Sequence, residues 1–135
     1  MWQEEFKPLP VQIWLAELAS LVSRCSESPR EVEDRIVRRA YHLSRLSPLA
    51  IRKITVPAAS ERELEAALDR EDTEEAAMIV MGLNSVVELL DCTDTGCHVA
   101  EFTPKDGEPV RFEAASPALA MVGAWASFLT TIPRV

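Results

Sequence analysis

Between Pro10 and Cys25 the apolar residues Val11, Trp14, Leu15, Leu18, Leu21, Val22 and Cys25 recur at helical spacing, while Gln12, Ser20, Ser23 and Arg24 fall elsewhere on the wheel. The pattern predicts a first helix with one face turned to a core. Ser28-Pro29-Arg30-Glu31 then offers an N-cap hydroxyl, a proline suited to the first helical position and a glutamate able to close a capping box. A second helix is expected to start there. Its apolar face is Val32, Ile36, Ala40, Leu43 and Leu46, and Arg35, Arg38, Arg39, His42 and Arg45 gather on an adjacent face. Ser47-Pro48 disfavours its continuation, and the β-branched run Ile51–Val56 before Pro57 reads as a short strand.

Ser60-Glu61-Arg62-Glu63 repeats the capping signature and opens a short acidic helix through Leu64 and Leu68. Asp72-Thr73-Glu74-Glu75 can cap another. From Ala76, the residues Ile79, Val80, Leu83, Val87 and Leu90 sustain a helical stripe that predicts a helix to about Asp91, with a strand over Ser85–Cys92 as the alternative. Thr93 to Gly96 is turn chemistry. His98–Thr103 and Val110–Ala114 flank the turn-rich stretch Pro104–Pro109 and predict a β-hairpin. Ser116-Pro117 starts a last helix. On it Met121, Trp125, Phe128 and Ile132 form a ridge of large side chains beside a groove of Ala120, Gly123, Ala124 and Ser127, which calls for closely packed neighbours.

These elements, without an internal repeat or linker, predict a single α+β domain over residues 1–135: about five helices with a small, mainly antiparallel sheet that includes the C-terminal-half hairpin. Composition agrees, since 47% hydrophobic and 27% charged residues with only 4 Gly suit a chain that buries a core. The three cysteines, Cys25, Cys92 and Cys97, are too few for a disulfide framework, and the first residues lack the basic start of a signal peptide. A reducing, cytoplasmic setting is expected. The uncharged stretch Ala114–Pro133 is long enough to span a bilayer, but its serines, threonines and alanines make a buried helix the better reading.

The net charge of −8 is unevenly spread: residues 1–60 carry nine basic and seven acidic side chains, residues 61–135 five and fifteen. Such a field argues against nucleic acid and anionic membrane as main partners. It leaves the cationic face of Arg35, Arg38, Arg39, His42 and Arg45 as a local candidate for an anion or an acidic partner. Against that stand the i, i+4 pairs Glu31–Arg35 and Asp34–Arg38, and the acidic segment Glu61–Glu75, which can neutralise the rest.

The densest run of chemically active side chains is Cys92, Cys97 and His98, with Asp94 between them; two thiols and an imidazole near one turn suit zinc or another soft cation. No second pair follows, and Cys97 and His98 would point to opposite faces of a strand. There is no phosphate-binding glycine loop, no nucleophile-elbow serine and no His-Glu-x-x-His helix, so the sequence predicts neither an enzyme nor a cofactor. It predicts a non-enzymatic protein–protein interaction module, of adaptor, inhibitor, immunity or chaperone type, using an acidic and apolar surface. The alternative is a small metal protein or enzyme using Cys92, Cys97 and His98. The ridge Met121, Trp125, Phe128 and Ile132 fits a second subunit or partner if it is not taken up by the core, so a homo-oligomer is a further expectation.

Overall fold

The computed structural model describes residues 9–48, 60–81, 85–90, 97–104 and 107–131. The expected strand Ile51–Val56 lies outside them, as do Cys92, Asp94 and Ile132. Among the described residues five α-helices and three strands follow one another: α1 (Val11–Glu27), α2 (Glu33–Arg45), α3 (Glu61–Asp69), α4 (Thr73–Met81), β1 (Ser85–Leu90), β2 (His98–Pro104), β3 (Val110–Ala114) and α5 (Pro117–Leu129). The sheet is antiparallel in the order β1-β2-β3. The fold is α+β, as the sequence predicts.

The heptad-like spacing of Trp14, Leu18, Leu21 and Cys25 puts all four on the inner side of α1, where they are fully buried. Full burial of each large apolar side chain stabilises the fold by about 1.5–3 kcal/mol relative to exposure. Val11, the first residue of α1, remains 40% exposed. Trp14 also donates its indole N–H to the Leu43 carbonyl at 2.9 Å, which fixes α1 against the end of α2. From α2, Ile36, Val37, Ala40, Tyr41 and Leu43 enter the same core.

The start of α2 differs from expectation. Ser28 is the C-cap of α1, its N–H bonded to the Arg24 carbonyl, and a short 3-10 turn over Arg30–Val32 separates it from the helix proper. Ser28 lies one residue ahead of Pro29, the N-cap of the 3-10 turn, and well ahead of Glu33, so its position in the chain takes it out of reach of either helix start. Glu33, the first residue of α2, instead accepts a hydrogen bond of 2.6 Å from the Ser116 hydroxyl. That hydroxyl also accepts from the Leu119 N–H at 3.2 Å as the N-cap of α5, with Pro117 at the first helical position. One buried serine thus joins the N-termini of two helices.

Ser60 caps α3 through the Glu63 N–H at 3.3 Å, and the Asp72 carboxylate accepts from the Glu75 N–H at 3.2 Å at the head of α4. Both were legible as capping signatures. Between them Glu71 adopts φ 60°, and its N–H and that of Asp72 bond to the carbonyls of Leu68 and Ala67, the paired bonds of a left-handed helix stop.

The long helix expected to run to about Asp91 does not form. The helix α4 ends at Met81, and Ser85–Leu90 pairs with β2, Val87 opposite Phe102 and Glu88 opposite Glu101. The run Val86-Val87-Glu88-Leu89-Leu90 satisfies helical spacing by accident of being mostly apolar. Its valines and its main-chain bonding to β2 select the strand.

α5 is the hub of the molecule, packed between β2 and β3 on one side and α1, α2 and α4 on the other. Ala118 through Ala126 are all buried, so the absence of a polar face on this helix reflects a central position. Its groove is filled as the small residues predict. A methyl group placed on Gly123 would lie 2.2 Å from Cδ2 of Phe112, so only glycine admits the β3 aromatic ring at this distance.

Candidate functional site

The cationic face of α2 is largely occupied from within the chain. Arg38 grips Glu65 of α3 with two parallel bonds, Nε to Oε2 at 2.8 Å and Nη2 to Oε1 at 2.9 Å, and reaches Asp34 at 3.4 Å. Hydrogen bonding to Arg38 holds the Glu65 carboxyl below its usual range, and the same bond pushes the Arg38 guanidinium further up. Arg39 bonds to Glu17 of α1, and His42 stands 3.6 Å from Glu61 at the head of α3. Arg45 donates to the Tyr41 hydroxyl at 3.2 Å and lies over the Tyr41 ring. Arg35 is exposed and makes no ion pair among the described residues. These contacts tie α2 to α1 and α3, which is work inside the fold.

Of the expected metal ligands, Cys92 lies outside the described residues, and Cys97 and His98 are adjacent, half-buried positions at the start of β2. Among the described residues no group of three His, Cys, Asp or Glu side chains is placed to hold a metal ion. Cys97 lines an open cavity of about 530 Å³ between the end of α1 and β3, with Glu27 and Glu113 as its charged walls. Cys25 sits elsewhere, in the core, where burial pushes its thiol up to about 12. It is inert as a nucleophile at neutral pH.

The ridge of α5 faces inward: Met121 and Trp125 are each 2% exposed, and Phe128, half-buried, packs at a tilt against Phe102 of β2 with the ring centroids 5.3 Å apart. These three residues pack against the protein's own sheet and helices. No helix of the described residues is long and apolar enough to cross a membrane.

Among the described residues β1 stands at one edge of the sheet, a surface that the helical reading of this segment concealed. Alternation along the ladder sorts the residues. Val87 and Leu89 share the face of Ala100, Phe102 and Phe112 that meets α5, and Val86, Glu88 and Leu90 share the outer face with Val99, Glu101 and Thr103. Helix α5 lies chiefly over β2 and β3, so β1 extends past its cover. Consequently Leu89 on the inner face is 44% exposed and Val86 on the outer face 64% exposed. Among the described residues β1 pairs on one side only. On the outer face Glu88 stands opposite Glu101, and Glu101 accepts a 2.8 Å bond from Arg111 of β3, its own opposite neighbour.

No protein-family model matches this chain, and no curated protein or solved structure is significantly similar to it.

Proposed function

We propose that this protein is a non-enzymatic, cytoplasmic interaction module that binds a partner protein through the acidic and apolar edge of its sheet. The observation that carries this reading is the simultaneous exposure of Val86 and Leu89 on opposite faces of one edge strand. Natural sheets blunt their edges with charge, proline or covering elements, and an edge that is apolar on both faces is suited to being covered. Glu88 between the two apolar residues, together with the acidic surplus of residues 61–135, steers a basic partner toward this side.

The test is affinity capture from extracts of the native host at low and moderate salt, with the wild-type protein beside a Val86→Asp variant. A partner retained in stoichiometric amount by the wild type, weakened by salt and lost with Val86→Asp, is the expected result. Equal recovery with both proteins would remove β1 from the account.

A further inference from the structure

We infer that β1 is the acceptor edge for an extended basic segment of a partner protein, which joins the sheet as an added strand with a lysine or arginine opposite Glu88 and apolar residues two positions to either side. The inference rests on the protein-binding reading above and deepens it by naming the chemistry of the occupant.

The ladder register supplies the argument. Glu88, Glu101 and Arg111 form one row across the outer face of the sheet. Directly opposite side chains on neighbouring strands have Cβ atoms about 4.5–5.5 Å apart, and like charges there repel. Arg111 offsets the charge of Glu101 at one end of the row. At the other end Glu88 is exposed and no cation of the described residues forms an ion pair with it. A cationic side chain on an added strand completes the row, with two carboxylates flanked by two cations.

Its neighbours on the same face are set by the two-residue period of a strand. They lie opposite Val86 and Leu90, which are apolar, and Val86 is 64% exposed. The residues between them face the other side, next to the exposed Leu89. The fitting segment therefore reads apolar-x-Lys/Arg-x-apolar. Main-chain bonds to the edge give such a complex affinity, and the alternate side chains give it selectivity.

A second copy of this chain is a poor occupant. Twofold pairing of β1 centred on Glu88 sets two Glu88 carboxylates face to face with a Glu101 behind each. Centred on Val87, it places each Glu88 against a valine and supplies no cation. Nucleic acid would bring its phosphates to the same carboxylates and is disfavoured for that reason.

The experiment uses four synthetic peptides against the full chain: Ser-Val-Thr-Lys-Thr-Val-Ser, the same peptide with glutamate in place of lysine, and two lysine peptides N-methylated at alternate residues, one lacking the N–H donors of each edge. Binding is read by fluorescence anisotropy and by amide hydrogen exchange of residues 86–90. The lysine peptide is expected to bind at least tenfold more tightly than the glutamate peptide and to slow exchange on β1. Methylation on the docking edge should abolish binding, and Glu88→Lys should reverse the charge preference. Equal binding of the two charge forms, tolerance of methylation on both edges, or protection confined to other elements would overturn the inference. So would slow exchange along the outer edge of β1 in the free protein, or a free-protein dimer joined through β1. Failure of the peptides while affinity capture still depends on Val86 would leave the protein-binding reading standing and remove this one alone.

Discussion

Along α2, Arg38, Arg39 and His42 each stand beside a carboxylate from another helix, whereas on β1 the Glu88 carboxylate stands opposite a second carboxylate. The first surface is richer in charge, yet Arg38, Arg39 and His42 are matched across element boundaries, with Arg35 left exposed. The second holds fewer charges and leaves one unmatched beside exposed valine and leucine. A cluster of like charges in a sequence is therefore a poor guide to a binding surface. What distinguishes the two regions is whether the fold itself supplies the counter-charge.

The largest effect that would break this comparison acts on the layer between the two regions. Gly123→Ala drives a methyl group into the Phe112 ring that holds the sheet on α5. The expected loss is about 2–3 kcal/mol of unfolding free energy in a denaturant titration, because a packed core accommodates an added carbon only by displacing its neighbours. No change would mean that β3 does not seat on α5 as described.

A smaller effect sharpens the reading of α2. Glu65→Gln removes one charge of the Arg38 pair, whose side chains are 39% and 37% exposed. Solvent screening limits the expected destabilisation at pH 7 to about 0.5–1 kcal/mol. The folded-state acidity of Glu65 is increased by Arg38, so the stabilisation is complete above the unfolded carboxylate value near ~4.3 and is lost as pH falls through the lower folded value. The difference between wild type and Glu65→Gln should accordingly vanish in acid. A difference that persists undiminished after the Glu65 carboxylate has been protonated in the folded protein would assign the effect to packing.

The smallest effect has the opposite sign. Glu88→Lys replaces a like-charge neighbour of Glu101 by an opposite one and should stabilise the free protein by about 0.2–0.5 kcal/mol in the same titration. Destabilisation would show that Glu88 is already paired within the fold.

The sequence reads well where local chemistry decides the outcome. The α1 stripe of Trp14, Leu18, Leu21 and Cys25, the caps at Ser60, Asp72 and Ser116, and the β2–β3 hairpin all appear where spacing and turn residues place them. The small residues about Gly123 also announced a close neighbour, although nothing local named Phe112 as that neighbour. Two features escaped for reasons that lie at a distance in the chain. The strand β1 depends on main-chain pairing with β2, and a mostly apolar run of six residues fits either period. The start of α2 depends on Ser116, 83 residues away, which takes the Glu33 carboxylate. The β1 edge was hidden by the same misreading, since a helix through Leu90 turns Val86, Glu88 and Leu89 onto different faces and dissolves the row with Glu101 and Arg111. The arginines of α2 were legible as a cluster, and so was the acidic segment that could neutralise them. Which carboxylates Arg38, Arg39 and His42 meet became visible only when α1 and α3 were in place.

The most direct measurement sets the two surfaces against each other in one affinity-capture series from native-host extract: wild type, Val86→Asp on β1, and Arg39→Ala on α2, each confirmed folded by circular dichroism. The account predicts that the wild type and Arg39→Ala retain the same partner in equal amount and that Val86→Asp loses it. Retention by Val86→Asp together with loss by Arg39→Ala would contradict it and move the binding surface to the arginine face.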